Sequence, residues 1–159
     1  VLASAARPAI VVLGHQADAV RAALAGRNVT FVRNPDYAEG LSTSLRAGLN
    51  AIPDGCDGAV ICLGDMPRIE ARHIDKLIAA FNPAEGRAIC VPTKDGKRGN
   101  PVLWAARFFP EMKNVHGDAG AKHLIGDYDE VVREVPVDDD AVLLDIDTPQ
   151  ALAALTADS

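Results

Sequence analysis

The feature that most constrains this chain is the stretch Ala59-Val60-Ile61-Cys62-Leu63-Gly64-Asp65-Met66-Pro67. Its apolar run has no period-2 alternation, which predicts a strand buried on both faces, and such strands belong to parallel sheets covered by helices. The run stops at Gly64-Asp65. Gly64 lets the backbone approach a neighbour closely, Asp65 sets a carboxylate past the carboxyl end of the strand, and Pro67 stiffens the exit toward a new helix. In open α/β sheets, ligands bind at that edge. An Asp ending a strand is also a common helix cap, so the stretch alone leaves both roles open.

The strand–helix rhythm extends along the chain. Residues 8–14 and 28–32 predict strands on either side of a helix over 15–24, and Asn34-Pro35-Asp36 closes the second strand as a turn. The Ala-rich residues 1–7 predict the last turns of a helix. Gly40-Leu41-Ser42-Thr43-Ser44 opens a helix with one glycine and three hydroxyls, a ready contact for an anion or nucleotide. Capping by Ser42 or Thr43 explains one hydroxyl but not three.

Further on, 70–81 predicts an amphipathic helix, 87–92 a strand, and 94–101 a polar hairpin-like loop before a strand at 102–104. Lys94, Lys97 and Arg98 lie in that loop, where a solvated turn accounts for them as well as phosphate binding does. Asn100-Pro101 is a candidate cis peptide. Short helices are expected over 107–112 and 122–126, a peripheral strand over 130–137, and a solvated acidic turn at Asp138-Asp139-Asp140. Residues 142–149 read as a buried strand running into a last helix over 150–155, with Asp147 or Thr148 as cap and Pro149 at its first position.

Composition narrows the function. The 159 residues suit one domain, 1–159, with an aliphatic core: 48% are hydrophobic but only 4% aromatic. A net charge of −6 argues against a nucleic-acid surface, which needs clustered Lys and Arg. No apolar run approaches membrane-spanning length and no secretory signal is visible. Cys56, Cys62 and Cys90 lack metal-ligand spacing, and the latter two read as small buried hydrophobes in strands. These features lead to the expectation of a cytoplasmic protein with neither nucleic-acid nor membrane partners.

Acids close two strand ends, Asp65 in one and Asp145 with Asp147 in the other. Strands ending on the same side would let these carboxylates share a hard cation, for which Mg²⁺ is the natural choice. Flanked by the Ser-rich turn and the cationic loop, the ion would suit transfer of a nucleotidyl group. Four scattered histidines without ligand spacing argue against zinc, and no Ser–His–Asp or Cys–His motif is present.

Six motifs in order carry a family resemblance: Gly14-His15-Gln16; Asn34-Pro35 with Gly40-Leu41-Ser42-Thr43-Ser44-Leu45-Arg46; Gly64-Asp65-Met66-Pro67; Arg98-Gly99-Asn100-Pro101; Gly117-Asp118-Ala119-Gly120-Ala121; and Asp145-Ile146-Asp147-Thr148-Pro149. Together they resemble the MobA-like nucleotidyltransferases, closest to the molybdenum cofactor cytidylyltransferase (MocA) branch. The resemblance implies a Rossmann-like, three-layer nucleotide-diphospho-sugar transferase fold with a mostly parallel sheet. It implies attack of the molybdopterin terminal phosphate on the α-phosphate of CTP, releasing pyrophosphate, with a molybdoenzyme or chaperone receiving the product. By the same resemblance Asp65 would be the catalytic Mg²⁺ ligand, and Asp145 or Asp147 the second metal contact. Gly40, Ser42 and Ser44 would line the base and ribose pocket, and Asn100, Pro101, Gly117 and Asp118 would face the pterin.

The sequence also departs from the family, which opens with a strand and a Leu-Ala-Ala-Gly-x-Ser-x-Arg-Met-Gly loop that holds the triphosphate. Neither is present, so the expectation is an N-terminally truncated domain with two exposed sheet edges and impaired catalysis. The alternatives are a non-catalytic nucleotide- and pterin-binding domain, or a transferase using GTP or another acceptor such as a sugar phosphate or methylerythritol phosphate.

Overall fold

The computed structural model describes residues 1–117, 121–146 and 148. In chain order the elements are β1 (Ile10–Leu13), α1 (Ala17–Ala23), β2 (Thr30–Arg33), α2 (Leu41–Asn50), β3 (Gly58–Ile61), α3 (Ala71–Ala80) and β4 (Ile89–Lys94). They continue with β5 (Lys97–Arg98), β6 (Val102–Ala105), α4 (Phe109–Lys113), α5 (Lys122–Asp127) and β7 (Val132–Pro136). The helix expected over 150–155 lies outside the described residues.

The strands form two sheets. β1 and β2 pair in parallel, while the larger sheet runs β3-β6-β4-β5 with β7 added alongside β4. In that sheet β3/β6, β6/β4 and β4/β5 are antiparallel and only β4/β7 is parallel. The expected mostly parallel sheet is therefore corrected to a mixed one. Asp95 and Gly96, with φ of 50° and 75°, make a two-residue hairpin turn that reverses the chain after β4, and β6 then enters between β4 and the sequence-remote β3.

Helices cover both faces of the larger sheet. Side chains alternate along its central strands, so Ile89, Val91, Val102 and Trp104 join Leu49, Phe108, Met112, Leu124 and Ile125 on one side. Cys90, Leu103 and Val135 meet Leu77 of α3 on the other. This gives three layers, with the bulk of the core on the α2/α4/α5 side.

Three further expectations change. β3 is half-buried along its length rather than enclosed on both faces, because among the described residues it pairs with β6 alone. Among the described residues no strand joins β3 to β1. Helix α2 links the two sheets instead: Gly48 packs at Val12 of β1, while Leu49 sits in the core with Ile61 of β3 against the same cluster. Cys62, just past β3, is exposed, unlike the buried Cys90. Residues 1–7 form turns, not a helix. The Arg7 guanidinium takes up the carbonyls of Leu2 and Ser4, which a helix would need for its own ladder, and Pro8 disfavours helical backbone before it.

The segment expected as a buried strand from residue 142 is a 3-10 turn, Asp140–Leu143, followed by irregular backbone. Val142 is buried, whereas Leu144 and Asp145 are exposed. The backbone of Val142 finds its partners in a loop rather than in a neighbouring strand, which is why no ladder forms.

Candidate active site

The predicted site residues are held in two groups. The first is built on the start of α2. Gly40 precedes the helix with φ 111°, a backbone conformation that a side chain would resist. No side chain caps the helix at that position. Asn34, buried at the end of β2, supplies the order: its Nδ2 donates to Thr43 Oγ1 at 2.8 Å and to Ser44 Oγ at 3.0 Å, and its Oδ1 accepts the Asp36 N–H. The Thr43 hydroxyl also lies 2.9 Å from the Gly40 carbonyl and 3.0 Å from the Asp36 carbonyl. Thr43 is thus fully engaged in holding the turn. Ser44 keeps its hydroxyl proton for another acceptor, since the Asn34 amide reaches it as a donor.

Gly117 joins this group. Ser42 N–H donates to the Gly117 carbonyl at 3.1 Å, and the Arg46 guanidinium donates to the carbonyls of Lys113 and Val115 at 2.9 and 3.3 Å. Residues expected to line a base pocket and a residue expected to face an acceptor are thereby adjacent. Asp118 falls outside the described residues.

The second group surrounds Asp65. The strand ends at Ile61, and Asp65 stands exposed in the turn beyond it, with Met66 buried as its anchor. Ile146 N–H donates to the Asp65 carbonyl at 2.9 Å, which brings Asp145 to the same loop edge. Asn100 N–H donates to the Val142 carbonyl at 2.9 Å, and Gly99 lies so close that a Cβ there would fall 2.1 Å from the Val142 oxygen. Pro101 follows through a cis peptide and is fully buried, so its ring presents no surface to a substrate. Asp147 lies outside the described residues. Among the described residues no hydrogen bond links the Asp65 group to the α2 group.

Charge in the hairpin is mostly neutralised at home. Lys94 pairs with Asp95, and Arg98 forks between Asp129 and Glu134 at 2.7 and 2.8 Å, which leaves Lys97 as the cation of that loop without an ion-pair partner among the described residues. Among the described residues no group of three or more His, Cys, Asp or Glu side chains is assembled for a metal. The exposed carboxylates of Asp65 and Asp145 suit a hard divalent cation that completes its shell with water and phosphate oxygens.

Sequence reasoning passed over two residues. Asn34 reads as a turn residue, and His73 as one of four scattered histidines. Yet His73 is 1% exposed, and Asp139, expected in a solvated turn, accepts hydrogen bonds from His73, Arg72 and the Ala141 N–H. These contacts hold its carboxyl well below the usual carboxylate range, the Ala141 amide contributing most. The Glu70-x-x-His73 spacing was the available signal for the capping box at the start of α3.

A three-layer α/β sheet whose strand-end turns present glycines, hydroxyls and carboxylates defines a nucleotide-handling domain. The chain belongs to the MobA-like NTP transferase domain family, whose profile matches residues 1–131, and it is a nucleotidyltransferase domain of that family. It is 27% identical over 147 residues to the molybdenum cofactor cytidylyltransferase of Escherichia coli strain K12, covering 88% of this chain and 69% of that protein. Over 117 residues it is 29% identical to the purine catabolism protein PucB of Bacillus subtilis, covering 72% of this chain and 55% of that protein. The structure of Rv0371c from Mycobacterium tuberculosis in complex with manganese superposes with a TM-score of 0.77 at 29% identity, over 96% of this chain and 79% of that one. Among the described residues no helix is long and apolar enough to cross a membrane.

Proposed function

We propose that this chain takes part in a Mg²⁺-dependent transfer of CMP from CTP to the terminal phosphate of molybdopterin. The observation that carries the reading is the hydrogen bond from Ile146 N–H to the Asp65 carbonyl, which sets the exposed Asp65 and Asp145 on one edge. In the reaction an oxygen of the acceptor phosphate bonds to the α-phosphorus as the bond to pyrophosphate breaks. Asp65 and Asp145, with Asp147 beside them in sequence, would hold the cation. Bound there, it would neutralise charge on the α-phosphate and favour in-line attack.

Gly40, Ser42 and Ser44 would take the base and ribose, with Ser44 Oγ as the hydroxyl still able to donate. Asn100, Gly117 and Asp118 would face the acceptor, and the buried Pro101 would fix the backbone of Asn100. The likeness to a cytidylyltransferase supports CTP and molybdopterin, and the likeness to a manganese-bound structure supports a divalent cation. The product would pass to a molybdoenzyme or its chaperone in the cytoplasm, where three free cysteines are at home.

The pairing of Arg98 with Asp129 and Glu134 favours a second reading, a binding domain without turnover, because it removes a cation from the triphosphate's reach. Calorimetric titration with CTP and with GTP, with and without Mg²⁺, tests the first. Mg²⁺-dependent binding of CTP over GTP is expected, and Asp65→Asn abolishes it while shifting stability by less than about 0.5 kcal/mol. Preference for GTP reassigns the nucleotide. An Asp65→Asn chain that fails to fold returns Asp65 to a structural cap.

A further inference from the structure

The segment 139–146 touches three separate parts of the molecule. At its start Asp139 meets the first turn of α3, in its middle Val142 accepts from Asn100, and at its end Ile146 donates to Asp65. Of these anchors only the first is made by a side chain that nothing above assigns to nucleotide, acceptor or metal. His73 Nδ1 accepts the Glu70 N–H at 2.9 Å, which fixes the proton of the neutral ring on Nε2. Nε2 lies 3.1 Å from Asp139 Oδ2. The ring is 1% exposed, in the same helix as the fully buried Ile74 and Leu77. It therefore has one orientation, with one partner at each ring nitrogen.

The other anchor of Asp139 is Arg72, whose side chain is 48% exposed and shared with Glu70. An exposed pair of this kind is screened by water and holds its partner only loosely. Buried and locked in one tautomer, His73 is the stiffer tether.

We propose that His73 is a positioning residue for the Asp65–Asp145 cation site: through Asp139 it holds segment 139–146 so that Ile146 stays paired with the Asp65 turn. The inference rests on the cation reading given above for those two carboxylates. The role is separable from helix capping. Asn at position 73 carries an oxygen where Nδ1 stands and keeps the Glu70 N–H satisfied, but does not reach Asp139. Gln carries an amide N–H where Nε2 stands and reaches Asp139 without serving the cap.

The experiment follows two readouts on the full chain: amide hydrogen exchange at Asn100 and Ile146 against Cys90 and Val91 of β4, and Mn²⁺ affinity by calorimetry. In His73→Asn and in Asp139→Ala, exchange at Ile146 and Asn100 accelerates about tenfold or more while β4 is unchanged, and Mn²⁺ binds about tenfold more weakly. His73→Gln restores most of both. Asp139→Ala alters a half-exposed side chain and keeps the test open should a buried substitution unfold the chain. Unchanged exchange at Ile146 in both variants overturns the proposal, as does a Gln variant that behaves like Asn. Mn²⁺ affinity that survives both variants overturns the positioning role alone. A wild-type chain that binds no Mn²⁺ in an Asp65-dependent way sinks the cation reading and this role with it, even where the exchange pattern holds.

Discussion

Individual residues carry more of the site's order than their types suggest. Asp139 is the clearest case, since its carboxylate form is favoured by an amide, a guanidinium and an imidazole at once. With the folded pKa below the unfolded value of about 3.9, the stabilisation is fully present above that value and is lost as pH falls through it toward the folded pKa. Acid unfolding should therefore begin at higher pH in wild type than in Asp139→Asn once each curve is normalised to its own neutral stability. Coincident normalised curves, followed by circular dichroism from pH 6 to 2, would mean that Asp139 does not link folding to protons. Gly99 makes a steric claim of the same local kind. Gly99→Ala puts a methyl 2.1 Å from the Val142 oxygen, backbone against backbone, so it should cost about 1–3 kcal/mol and weaken Mn²⁺ binding by displacing Ile146. A urea midpoint equal to wild type would show that the two strands of backbone part without loss.

Among the elements, α2 does the most connecting work. It starts at the Asn34-ordered turn, packs Gly48 on β1 and Leu49 into the main core, and is stapled to the α4–Gly117 turn by Arg46. Hydrogen bonds from a charged donor to partly buried carbonyls contribute about 1.5–3 kcal/mol. Arg46→Ala should lower stability by that amount in urea titration and weaken CTP binding, because the Lys113–Val115 backbone that leads to Gly117 then loses its side-chain tie to the helix. Arg46→Lys should rescue little, since the planar fork that reaches Lys113 and Val115 together is lost. α3 contributes differently, by packing one face on β4, β6 and β7 and offering its first turn to Asp139.

Across the whole molecule the two faces of the larger sheet are unequal. The α3 side is a small cluster of Leu77, Cys90, Leu103 and Val135, with Leu77 0% exposed at its centre. Leu77→Ala should cost about 2–5 kcal/mol, measured as a lowered urea midpoint with an unchanged slope. A loss below about 1 kcal/mol would show that the face collapses onto the vacancy. The burial of Cys90 in the same cluster pushes its thiol pKa up to about 11, consistent with an apolar interior. Among the described residues β1 pairs only with β2 and β3 only with β6, which sets the other large-scale feature, two sheets bridged by a helix.

Much of the fold was legible in the residues. Apolar patterning located α1, α3 and the strands β1 to β4, β6 and β7, the glycine and hydroxyls from Gly40 located the start of α2, turn chemistry marked 94–101 as a hairpin-like loop, within which β5 forms, and the six motifs pointed to the family that matches residues 1–131. These signals are local: they depend on φ/ψ preferences and on which side of one element is apolar. Strand direction and pairing are not local. The antiparallel insertion of β6, the half-burial of β3 and the 3-10 turn at Asp140–Leu143 depend on partners remote in sequence. So does the bond between His73 and Asp139, 66 residues apart, because a buried imidazole finds its acceptor only when the chain has already folded around it.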